Sequence, residues 1–140
     1  MKDQLIDGYR LSRLIGAGGF GEVWLCESIV MPGVWKALKW IPAHHSKRLE
    51  RELEALIHYQ RAVQKGGSAN LMRIEHVNRT SEGLFYVMPL ADSMADESPE
   101  AISWSPATLS NLIQKRKGTN KWFTSQEIIS IMASVLNGLQ

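Results

Sequence analysis

Two features of the first forty residues could handle a phosphate. Gly16-Ala17-Gly18-Gly19-Phe20-Gly21-Glu22-Val23 is a glycine-rich stretch that lets backbone come close to an anion, and Lys39 follows it with a cation. The bare G-x-G-x-x-G spacing is shared by two unrelated nucleotide folds, so its flanks must discriminate. A dinucleotide-binding turn opens a helix. Here Glu22 to Glu27 alternates and is rich in β-formers, and Tyr9 to Ile15 before the glycines reads the same way. The glycines are therefore expected at the tip of a hairpin, as a flap over a ligand. Val34 to Ile41 reads as a third strand closed by Pro42, and its alternation sets Ala37 and Lys39 on one face.

This layout resembles the glycine-rich loop of protein kinases, G-x-G-x-x-G-x-V, matched through Val23. The resemblance implies an ATP site. Gly16 and Gly18, with Ala17, Gly19 and Gly21, would form the flap, Phe20 would cap it, and Ile15 and Val23 would cover the adenine. Ala37-x-Lys39 matches the A-x-K of the family's third strand, where the alanine leaves room for adenine and the lysine reaches the α- and β-phosphates. Lys36 departs from the fuller pattern, which has an apolar residue there.

The lysine needs an element to aim it. Leu49, Leu53, Leu56, Ile57 and Val63 recur at helical spacing, with Ser46 as a candidate N-cap and Gly66-Gly67 as the stop. The family pairs its lysine with a glutamate on this helix, and Glu50, Glu52 and Glu54 are candidates. Glu52 fits best, because Arg51-Glu52-Leu53-Glu54-Ala55-Leu56 resembles the family's R-E-x-x-x-L and Glu52 borders the apolar stripe. Lys39 and Glu52 are thus the expected catalytic pair. A separated pair is also foreseen, since the second lobe that steadies this helix in the family is not in the sequence. The family's H-P-N turn is replaced by Gly67-Ser68-Ala69-Asn70-Leu71.

Leu71 to Val77 and Leu84 to Met88 read as two further strands joined through Thr80-Ser81-Glu82-Gly83. By resemblance Met88 is the gatekeeper, the Pro89 carbonyl and the Ala91 amide read the adenine edge, and Asp92 reaches the ribose. Residues 93–106 read as a mobile loop, Ala107 to Lys117 as a short helix, and Ser125 to Leu139 as a helix introduced by a capping box at Thr124-Ser125-Gln126-Glu127.

The expected fold class is α+β: a kinase-like N-lobe with a five-stranded antiparallel sheet and one long helix (residues 1–92), then the first helices of an incomplete C-lobe (93–140). The H-R-D and D-F-G motifs that carry the catalytic aspartate and magnesium ligands do not occur in the sequence. The expected cofactors are ATP and Mg2+, with the magnesium ligands outside these residues. The expected function is the ATP-binding part of a protein serine/threonine kinase, itself inactive; Ser/Thr preference follows from resemblance to microbial, eukaryotic-like kinases. The alternative is a non-catalytic nucleotide-binding or interaction module.

The resemblance implies a protein substrate and ATP as partners, and composition argues against two other classes. Sixteen basic and 14 acidic residues give +2, too mild for a nucleic-acid partner. No apolar run spans a membrane, and acidic residues near the start exclude a signal peptide, so a cytoplasmic chain is expected. The single cysteine, Cys26, excludes an internal disulfide. His44, His45, His58 and His76 lack metal-ligand spacing. Trp35 and Trp40 fit outward or helix-facing strand positions. Ile128, Ile131, Met132, Val135, Leu136 and Leu139 line one face of the last helix, through which self-association is expected.

Overall fold

The computed structural model describes the chain apart from Phe20, residues 67–70, Asn120 and Gln140, and it describes residues 137–139 in backbone only. The Phe20 cap, most of the Gly67–Leu71 turn and the Leu139 side chain lie outside the described residues. The chain divides into two units, residues 1–60 with 73–90, and residues 61–72 with 91–140.

The first unit is an antiparallel sheet with one long helix. Its strands are β1 (Leu5–Ile6), β2 (Tyr9–Gly18), β3 (Gly21–Ser28), β4 (Trp35–Pro42), β5 (His76–Arg79) and β6 (Gly83–Pro89), in the order β1-β2-β3-β4-β6-β5. The helix, α1 (Ser46–Gln64), lies between β4 and β5 in sequence and has its last residues in the second unit. The sheet thus has six strands where five are expected. The extra one, β1, is held by a two-residue turn at Asp7-Gly8, with φ of 47° and 89°, that pairs Ile6 with Tyr9. Asp-Gly is a favoured dipeptide for such a turn.

The fourth expected strand, Leu71 to Val77, is corrected to His76–Arg79. Ile74 packs on the helix-facing core and the Glu75 amide donates to the Val87 carbonyl, so the chain meets the sheet before the ladder begins. The helix start also shifts. The His45 carbonyl accepts the Leu49 amide, which gives His45 the cap position and makes Ser46 the first helical residue.

Strand alternation gives the sheet two apolar faces. Ala37, Ile41, Leu84, Tyr86 and Met88 pack with Leu49 and Leu56 of α1, and Ile15, Val23 and Leu53 join them. Ile57, expected in that stripe, is exposed. The other face gathers Ile6, Leu11, Trp24, Cys26, Leu38, Trp40, Phe85 and Val87. Trp40 therefore lies inside the curl of the sheet, away from α1, and not outward or helix-facing. Asp7 Oδ2 lies 2.7 Å from His76 Nε2 and accepts Asn78 Nδ2 at 3.0 Å, joining the turn after β1 to β5 at the opposite end of the strand order. The hydrogen bonds to His76 and Asn78 hold the Asp7 carboxyl below its ordinary value. Burial pushes the Cys26 thiol up to about 12, so it stays neutral.

The second unit holds α2 (Leu109–Thr119) and α3 (Ser125–Leu139). Residues 93–106, expected to be mobile, fold back on themselves. Ser93 pairs with Pro106, Met94 N donates to Ser105 O, and the Ser93 hydroxyl accepts the Ala95 and Glu97 amides. Trp104, which is buried, supplies the apolar mass that the Ser/Pro-rich composition hides. The helix expected from Ala107 begins at Leu109 instead, behind Thr108, whose hydroxyl accepts the Asn111 amide. Thr124 caps α3 by accepting the Glu127 amide at 3.1 Å. Glu127 also pairs with Arg116 at 2.7 Å, and Arg116 lies over the Phe123 ring, so this cation is engaged within the unit. No helix among the described residues is long and apolar enough to cross a membrane.

Candidate functional site

The glycine stretch lies in the β2–β3 hairpin, where Gly18 and Gly21 form the last described pair. Two register shifts, between Leu11 and Arg13 and between Leu14 and Gly16, bend β2 as it approaches the tip. Among the described residues of the motif, only Gly21 has positive φ, at 106°, and a Cβ there would sit 2.5 Å from the Trp40 carbonyl oxygen. Glycine is thus required at Gly21 by backbone and neighbour alike. At Gly18 and Gly19 an added Cβ would meet no atom within 4 Å. Those two positions face open space.

The hairpin is tied directly to the strand carrying the lysine, because Val23 pairs with Lys39 and Leu25 with Ala37. Ala37 in turn pairs with Met88 and Lys39 with Tyr86. Ile15, Val23, Ala37 and Met88 consequently fall in one apolar cluster. Pro89, the last residue of β6, is exposed. Ala91 and Asp92 belong to the second unit, where the Asp92 carbonyl accepts the Ala107 amide at 2.7 Å.

Beside this cluster Lys39 Nζ donates to Glu52 Oε1 at 2.8 Å, both side chains being largely shielded from water. The separation foreseen for this pair does not occur. The other two glutamates have different surroundings: Glu50 pairs with Arg79 at the surface at 2.8 Å, and Glu54 is exposed. Lys36, on the opposite face of β4, pairs with Glu75 at 2.9 Å, which accounts for a charged residue where an apolar one is usual.

A third group completes the pair. The Tyr86 hydroxyl donates to the same Glu52 oxygen at 2.6 Å, and Lys39 Nζ stands 5.6 Å from the centroid of its ring. Burial pushes the Glu52 carboxyl up, but the hydrogen bonds from Lys39 and Tyr86 and the lysine's charge outweigh it and leave Glu52 below its ordinary value. Burial, and then the hydrogen bond and charge of Glu52, push the Tyr86 phenol far above its usual range. The carboxylate is therefore charged, and the phenol remains a donor. Sequence reasoning missed Tyr86; its signal was the β6 alternation that places it on one face with Leu84 and Met88.

No family model and no curated protein matches the chain. Among solved structures, the kinase domain of PknI from Mycobacterium tuberculosis is similar in three mutant forms. One double mutant matches at TM-score 0.49 and 21% identity over 74% of this chain and 44% of that chain. A single mutant matches at TM-score 0.49 and 22% identity over 73% and 43%. The chain thus spans less than half the length of these domains.

Proposed function

We propose that this chain is the ATP-binding part of a protein kinase that transfers the ATP γ-phosphate to protein Ser/Thr hydroxyls. The observation that carries the reading is the Lys39–Glu52 ion pair beside a glycine hairpin whose Gly18 and Gly19 face open space. A lysine held by a carboxylate on a helix keeps its charge and a fixed direction, which suits a phosphate that must be bound in one pose. The residues fit the nucleotide. Ile15, Val23, Ala37 and Met88 offer an apolar surface to the adenine, and Pro89 has a carbonyl but no amide hydrogen to offer its edge. When bound, Mg-ATP supplies the transferable phosphoryl group; this chain's part is to bind and orient it.

The described residues include no group of three His, Cys, Asp or Glu that could hold a metal ion. The H-R-D and D-F-G motifs that carry the catalytic aspartate and the magnesium ligands in the resembling family do not occur in this sequence, so the reading expects no turnover from the chain alone.

Titration calorimetry of the 140-residue chain with Mg-ATP tests the reading. Saturable binding is expected, weakened at least about tenfold by Lys39→Ala, the scale of one charge-assisted hydrogen bond. The variant should unfold at nearly the wild-type temperature. Binding undiminished in Lys39→Ala, or absent in the wild-type chain, would overturn it.

A further inference from the structure

Glu52 Oε1 accepts two hydrogen bonds, from Lys39 at 2.8 Å and from Tyr86 at 2.6 Å. The two donors come from paired residues on neighbouring strands, since Lys39 and Tyr86 are direct register partners across β4 and β6. The acceptor comes from α1. One carboxylate oxygen therefore fastens the helix to two strands at once. The Tyr86 ring is itself buried among Leu84, Met88, Leu49 and Leu56, which leaves its hydroxyl little freedom to point elsewhere.

From this geometry we infer that Tyr86 is a positioning residue for the site: it anchors Glu52, and hence α1, to the sheet independently of Lys39. The inference rests on the nucleotide-site reading for its effect on binding, but its structural half does not. A lysine whose three donors are shared between Glu52 and a phosphate holds the carboxylate less tightly. Without Tyr86 the carboxylate would then be free to leave the sheet and carry α1 with it. With Tyr86 in place, Glu52 remains within reach of Lys39, and the lysine keeps one direction. The arrangement also explains why the pair is closed in this chain, with no further element invoked to press the helix inward.

Two readouts separate the inference from the reading beneath it. The first is the Glu52 carboxyl titration, followed by carbon NMR with and without Tyr86→Phe, a change that keeps the buried ring and removes only the hydroxyl. The Glu52 midpoint should rise, because one of its donors is gone. The second is Mg-ATP affinity, expected to fall about three- to tenfold in Tyr86→Phe, the scale of one lost hydrogen bond. In a Glu52→Ala background, which has no side-chain acceptor, the same Tyr86→Phe change should alter affinity by less than about twofold. A purely structural tyrosine would weaken binding equally in both backgrounds. An unmoved Glu52 midpoint overturns the inference, as does a moved midpoint with unchanged affinity. Should Tyr86→Phe unfold the chain, hydrogen exchange of the α1 amides in Lys39→Ala decides. Protection kept near Glu52 supports an anchor independent of the lysine, and protection lost there refutes it. If instead Lys39→Ala binds nucleotide normally, the site reading falls while the titration still decides whether Tyr86 anchors Glu52.

Discussion

Leu38, Phe85 and Val87 are fully buried within the curl of the sheet, whereas on α3 Ile129 is 62% exposed and Leu136 56%. The two units have comparable apolar residues and treat them differently. In the first unit, six strands and α1 cover both faces of the sheet, and the Asp7–His76 contact links its two ends. In the second, the capped helix is well formed by its own local signals, yet Ile128, Ile129, Met132, Val135 and Leu136 all remain at least half exposed. Local propensity and capping suffice to specify a helix; they do not give it a core. The comparison predicts that stability is concentrated in the sheet and that its helix-facing side, which carries Lys39 and Tyr86 and holds Glu52 of α1, inherits that rigidity.

The strongest way to break the comparison is to hollow out the sheet. Phe85→Ala should cost about 3–5 kcal/mol, as large apolar-to-alanine changes in packed cores do. That is a large share of the roughly 5–15 kcal/mol available to a small domain. Urea denaturation followed by tryptophan fluorescence would read it, because Trp24 and Trp40 lie in the same cluster. A loss under about 1 kcal/mol would show that this interior is not the stabilising core.

The part of the molecule that was legible in sequence is the part where one period repeats long enough to be seen. The alternation in β3 and β4, the stripe of α1 and the capping box of α3 all have this property, and β6 was legible as an unbroken apolar run closed by turn residues. β1 was missed because two residues carry no period, although Asp7-Gly8 marked its turn. β5 was displaced because Ile74 is apolar for packing against the helix-facing cluster, not for pairing in the ladder. The site divides in the same way. The glycines, Lys39 and Glu52 are spaced as a motif; strand alternation could put Tyr86 on one face with Leu84 and Met88, but its bond to Glu52 depends on a cross-strand register and a side-chain rotamer that one sequence does not show.

A change of intermediate size concerns pH. Glu52 and Asp7 are both held below their ordinary carboxyl values, 4.5 and 3.8. A group whose folded pKa is depressed stabilises the fold above its unfolded pKa, and that contribution is lost as pH falls through the folded value. The sheet unit should therefore keep full stability above about pH 5 and lose it progressively below about pH 4, as carboxylates protonate. Glu52→Gln should cost about 1 kcal/mol at neutral pH, after allowance for partial screening by solvent. It should cost less as the pH is lowered, so that the two stability curves converge in acid. Parallel curves would mean that the Glu52 charge contributes nothing to folding.

The smallest expected effect on stability comes from the exposed face of α3, and it sharpens the comparison most. Met132→Glu replaces a side chain that is 53% exposed, so it removes little burial, and the fold should change by less than about 0.5 kcal/mol. Its effect should appear in association instead. We expect the wild-type chain to self-associate through Ile128, Met132, Val135 and Leu136, because covering apolar surface gains about 25 cal/mol per Å2. A single helix face offers less than the roughly 800 Å2 per partner of a standard interface, so the association should be weak and concentration-dependent. A glutamate at Met132 would meet its own counterpart across an antiparallel pair of such faces, adding like-charge repulsion to the lost contact. Sedimentation velocity over a range of concentrations should show the wild-type mass rising and the Met132→Glu mass staying at that of one chain. A wild-type chain that remains monomeric while its α3 amides resist hydrogen exchange would show that the helix tolerates water on this face, and that its apolar stripe drives no association.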